Sequence, residues 1–85
     1  MKKIERVQTG LRLEKRMVKV LKGLAEQLDI STAELVEGVV LHVFDGKAPF
    51  KPETLDKIAK LKEVYDLDLT SADAHGITED SEARP

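Results

Sequence analysis

The spacing of apolar residues changes along the first half of the chain, and each change marks an element. From residue 6 to residue 13 the pattern alternates. Val7, Thr9, Leu11 and Leu13 share one side of an extended chain, with Arg6, Gln8, Gly10 and Arg12 on the other, as in a half-buried strand. Between residues 14 and 28 the period lengthens. Met17, Val18, Leu21, Leu24, Ala25 and Leu28 recur at steps of three and four, which predicts an amphipathic helix with Lys15, Arg16, Lys19, Lys22 and Glu26 off the stripe. Gly23 falls inside this helix at a cost of about 1 kcal/mol relative to alanine, read here as tolerated rather than as a sign of close helix approach. Asp29 stands where a left-handed helix end is expected.

Ser31 and Glu34 form the S-x-x-E pattern of a capping box, so a second helix is expected to begin at Thr32. Leu35, Val36, Val39, Val40, Leu41, Val43 and Phe44 make it apolar on most of its circumference, and such a helix is expected to be surrounded by protein. Asp45, Gly46 and Lys47 end it. A third helix is predicted over 52–65, with Pro52 at its first position and Phe50 and Leu55 in the two positions of a hydrophobic staple. Its stripe is narrow, so it either packs on the surface of the assembly or awaits a partner. From Thr70 the chain is polar, and its last nine residues are expected to be disordered.

Chain length sharpens this pattern. A single core built from 85 residues is thin, and no cysteine is present to form a disulfide or help hold a structural zinc. The alternating segment has no second strand to pair with, and one helix plus one strand cannot enclose the valine-rich second helix. An obligate homodimer follows, with the strand pairing to its own copy. No apolar run approaches the roughly 18 residues of a membrane span and no signal-peptide pattern opens the chain, so a soluble, cytoplasmic protein without membrane contact is expected.

The formal net charge is −2, but its distribution is uneven. Residues 1–28 hold eight basic side chains (Lys2, Lys3, Arg6, Arg12, Lys15, Arg16, Lys19, Lys22) against three acidic ones, a balance of +5 that leaves −7 for the remainder. A basic N-terminal surface facing a polyanion fits this asymmetry. Nothing places a nucleophile beside a base, a glycine loop around phosphates, or metal ligands at useful spacing. No enzyme activity, metal or cofactor is expected. His42 reads as a partly buried, hydrogen-bonded residue, and Asp66 and Asp68 as loop carboxylates.

Leu11-Arg12-Leu13, Met17-Val18, Leu21, Leu24-Ala25, Leu28, Asp29-Ile30-Ser31 and Glu34-Leu35-Val36 together resemble the ribbon-helix-helix family of DNA-binding proteins over residues 5 to about 45. The resemblance implies a mostly α intertwined homodimer, one β-strand then two helices per subunit, with an added C-terminal helix and disordered tail. Two strands, one per subunit, would form a ribbon that enters the major groove of double-stranded DNA. It implies Arg6, Gln8, Gly10 and Arg12 as the base-facing positions, Gly10 leaving a gap where the family carries a longer polar side chain. Phosphate contacts would come from Lys2, Lys3, Lys15 and Arg16 and from Ser31, Thr32 and Ala33 at the second helix N-terminus, although the family often has a basic residue where Thr32 stands. The dimer core would be Val7, Leu11, Leu13, Val18, Leu21, Leu35, Val36, Val39, Val40 and Val43. Residues 1–47 would be the DNA-binding and dimerisation domain, 48–69 an accessory helix and loop, and 70–85 a flexible acidic tail. The expected function is a transcriptional repressor, with higher-order assembly on DNA left open. The alternatives are an antitoxin whose residues 48–85 bind a toxin, and a dimerisation module without DNA binding.

Overall fold

The computed structural model describes residues 2–76, in the order α1 (Lys15–Leu28), α2 (Thr32–Phe44), α3 (Pro52–Val64) and a short 3-10 helix (Ser71–Asp73). The mostly α expectation agrees with this order, but the ribbon-helix-helix arrangement does not. Residues 2–14 take up no regular secondary structure, and no strand forms among the described residues. The physical reason lies in the sequence: a strand is held by hydrogen bonds to a neighbour, and no second alternating segment exists here to supply them. The last nine residues, expected to be disordered, lie outside the described residues. Residues 70–73, at the start of the segment expected to be a flexible tail, form a capped turn in which the Asp73 carboxylate accepts from the Thr70 amide at 2.8 Å.

All three helices end in the same way. The Ile30 amide donates to the Ala25 carbonyl, Lys47 to His42 and Leu67 to Lys62, while Asp29, Gly46 and Asp66 take the left-handed conformation. These are Schellman ends, each satisfying carbonyls that the last turn leaves open. Asp29 was legible as such an end. Ser31 and Glu34 cap α2 reciprocally, with Ser31 Oγ accepting from the Glu34 amide at 3.0 Å and Glu34 Oε1 from the Ser31 amide at 3.1 Å.

The core closes around α1, which packs against both α2 and α3. Val20, Leu24 and Ala25 of α1 are buried with Leu35 of α2 and Leu61 of α3, flanked by Leu21, Leu28, Val39, Phe50, Ile58, Tyr65 and Leu67. The third helix is therefore docked, with Leu61 and Ile58 turned onto α1. Gly23 lies under this contact: a Cβ there would stand 3.0 Å from Leu61 Cδ2, close enough that the leucine tip would have to shift. The glycine thus marks a close helix approach, contrary to its reading as merely tolerated.

Enclosure of α2 does not occur within one chain. Leu35 is its buried residue, Val39 is half-buried, and Val36, Val40, Leu41, Val43 and Phe44 are exposed. Of the other residues expected in a dimer core, Val18 and Leu21 are half-buried, while Val7, Leu11 and Leu13 are exposed.

Leu24, at 2 % exposure, carries the sharpest packing test. Leu24→Ala is expected to lose about 2–5 kcal/mol in urea unfolding. Gly23→Val is expected to release α3 selectively, so that amide exchange in α3 accelerates before exchange in α1 and α2; uniform acceleration would contradict the role given to Gly23.

Candidate nucleic-acid interface

The basic residues of the first 28 positions are borne on the arm that precedes α1 and on α1 itself. Lys2, Lys3, Arg6, Gln8, Gly10 and Arg12 are all exposed. Gly10 sits in open space, with nothing within 4 Å of a built Cβ, so a longer side chain would fit there. Arg6 has a partner. Its guanidinium forks onto Glu37 of α2, Nε donating to Oε2 at 2.8 Å and Nη2 to Oε1 at 3.0 Å. This bidentate pair lays the arm beside α2. The hydrogen bond from Arg6 holds the Glu37 carboxyl below the usual carboxylate range, outweighing an opposing desolvation with the help of the Arg6 charge.

Glu14 ends the arm and begins α1. Its Oε1 accepts from the Arg16 and Met17 amides at 2.9 and 3.1 Å, filling the capping role usual for Ser or Asp. Its Oε2 accepts from Arg16 Nε at 2.9 Å. Partial desolvation pushes the Glu14 carboxyl up, but the Arg16 hydrogen bond and charge and the two amides outweigh it and bring the group below its ordinary range. The same guanidinium reaches the turn after α3: Arg16 Nη1 donates to the Asp66 carbonyl at 2.8 Å and to Asp68 Oδ1 at 3.0 Å. One turn further along α1, the Lys19 ammonium stands 5.8 Å from the centre of the Tyr65 ring, a cation–π distance. Lys15 is exposed beside them.

The N-terminus of α2 is less suited to an anion than its helix dipole suggests. Ser31, with its amide and hydroxyl already engaged by Glu34, opens a shallow cleft with Thr32 that is shared with Lys22, Glu26, Asp29 and Glu34. Three carboxylates around one ammonium oppose the attraction of the amides. Ala33 is exposed on the first turn.

Among the described residues no three His, Cys, Asp or Glu side chains gather to hold a metal ion, and no helix is long and apolar enough to cross a membrane. His42 is exposed, and its Nδ1 donates to the Gly38 carbonyl at 2.7 Å. Sequence reading missed the reach of Arg16 to Asp66 and Asp68, the pairing of Arg6 with Glu37, and the approach of Lys19 to Tyr65. The Glu14-x-Arg16 spacing carried a local hint of the cap; the other partners stand 31 or more positions apart in sequence and left no signal. Comparisons with family models, curated proteins and solved structures find no match to this chain.

Both Glu14 and Glu37 titrate lower in the fold than their ordinary 4.5. The stability they contribute is complete above pH 4.5 and is lost as the pH falls through the lower folded-state values. Thermal unfolding followed by circular dichroism is expected to fall off with acid in that window, and less steeply in Glu37→Gln. An identical acid profile for that variant would show that the Arg6 pair does not couple to folding.

Proposed function

We propose that this chain is a cytoplasmic, sequence-specific DNA-binding protein of the transcription-regulator kind that acts as a homodimer. The observation that carries the reading is the character of residues 2–14. Alternate positions of this arm are apolar yet exposed, Val7 at 82 % and Leu11 at 71 %, while Gln8 and Arg12 occupy intervening positions beside the Arg6 that Glu37 holds, preceded by Lys2 and Lys3. An apolar row that its own chain leaves uncovered marks an interaction face. A basic and amide-bearing row suits a groove of DNA, where arginine bonds guanine and glutamine bonds adenine, and extended basic arms are an established means of reaching base edges.

A second copy is the occupant that fits the apolar face. Val36, Val40, Leu41, Val43 and Phe44, the last at 79 % exposure, continue uncovered apolar surface onto α2, the helix to which Arg6 ties the arm. The buried core of one chain is small by comparison. Two-fold association buries the same patch twice and places two basic arms on one assembly. Phosphate contacts are assigned to Lys2, Lys3, Lys15 and Arg16. The first turn of α2 contributes least, because Glu26, Asp29 and Glu34 surround it. A toxin-binding reading of residues 48–85 is weakened by α3, whose Ile58 and Leu61 are already engaged with α1.

Selection of bound sequences from random DNA, followed by titration of the best one, tests the proposal. Gln8→Ala and Arg12→Ala are each expected to lose roughly 1–3 kcal/mol of affinity for the selected site with the helices intact. Gly10→Arg is expected to bind more tightly, and affinity to fall steeply with salt as counterions are released. No binding even at low salt would leave a dimerisation module. In sedimentation, Leu11→Glu and Val40→Asp are expected to turn a dimer into a monomer; a wild-type monomer at micromolar concentration would remove the second copy from the reading.

A further inference from the structure

Four residues after α3 lie across the basic end of α1, and each is held there by a distinct interaction. Tyr65 caps α3 and stands against Lys19. Asp66 takes the left-handed conformation at φ 55°, which turns the chain back, and its carbonyl accepts from Arg16. Leu67 is half-buried against the core, anchoring the turn by apolar contact. Asp68 then presents a carboxylate to Arg16 Nη1 at 3.0 Å with its own side chain 83 % exposed.

These contacts are unequal in permanence. Glu14 is fixed by the α1 amides it caps, so it sets the plane of the Arg16 guanidinium whatever else binds there. Asp68 is exposed and contributes a monodentate, solvent-screened pair of the kind that exchanges readily. An incoming phosphate oxygen can take the place of Asp68 on Nη1 without disturbing the helix cap, because its geometric demands match those of the carboxylate it displaces.

We propose that the turn of residues 65–68 is an intramolecular latch whose Asp68 carboxylate occupies the phosphate position on Arg16, so that loading of DNA exchanges one anion for another. This rests on the DNA-binding reading above and gives it a regulatory element. The latch occupies Arg16 Nη1 when DNA is absent, and it raises the threshold for non-specific binding, which depends almost wholly on such phosphate contacts. A change that withdraws the turn removes the Asp66 and Asp68 partners of Arg16 and the aromatic neighbour of Lys19 together.

A double-mutant cycle on the full chain tests it: wild type, Asp68→Asn, Arg16→Gln and the double variant, each titrated with the same labelled duplex at several salt concentrations after circular dichroism confirms the fold. Asp68→Asn is expected to bind roughly two- to fivefold more tightly than wild type, the range open to an exposed ion pair, and the gain is expected to vanish when Arg16 is glutamine. An unchanged affinity overturns the latch. So does a gain that persists with Arg16→Gln, since removing a negative charge then acts through the overall field. Either result leaves the DNA-binding reading standing, whereas absence of binding by all four proteins at low salt sinks both. Asp68→Lys supplies a second measurement: part of its gain is expected to persist with Arg16→Gln as a general charge effect, and the part lost there is expected to match the gain of Asp68→Asn.

Discussion

The position of α1 between the other two helices governs the rest of the molecule. Its Leu24 and Ala25 are buried in one cluster with Leu35 of α2 and Leu61 of α3, so α2 and α3 are each positioned by what they lay on this one helix. Burial of a few aliphatic side chains supplies a modest apolar driving force, and a core so narrow has little reserve. Gly23 is part of that economy: where α3 crosses, the absence of a side chain lets Leu61 approach the α1 backbone. The same crossing carries the Tyr65–Asp68 turn to the basic end of α1, so packing and electrostatics share one cause.

The charge distribution gains meaning from this arrangement. Sequence alone divides the chain into a basic beginning and an acidic remainder, which invites the view that the two halves act separately. In the fold they meet. Arg6 is bound by Glu37 and Arg16 by Glu14 and Asp68, so Glu37 and Asp68 of the later segments already accompany two arginines of the basic beginning. A polyanion approaching this surface meets arginines oriented by existing partners, which lessens the ordering left to be done on binding.

Local signals were read well because they are short-range. The αL end at Asp29, the Ser31–Glu34 box and Pro52 at the head of α3 depend on neighbours within a few residues. Alternation over 6–13 was misleading because period two reports which side chains share a side and cannot supply the ladder that makes a strand. The apolar circumference of α2 marked it as a helix that one chain could not enclose, and one chain does leave most of it uncovered. Contacts made by Arg6, Arg16 and Lys19 were beyond reach for another reason: charged side chains are long and find partners wherever the fold delivers them. Gly23 could be read either as a cost or as a crossing point until α3 was placed.

Tyr65 has a further use. The chain contains one tyrosine and no tryptophan, and that ring stands beside Lys19 at the hinge between α3 and the segment that follows. Its ultraviolet emission is therefore an unlabelled optical gauge of a single locality, sensitive to whether the ammonium remains next to the phenol and blind to motions elsewhere.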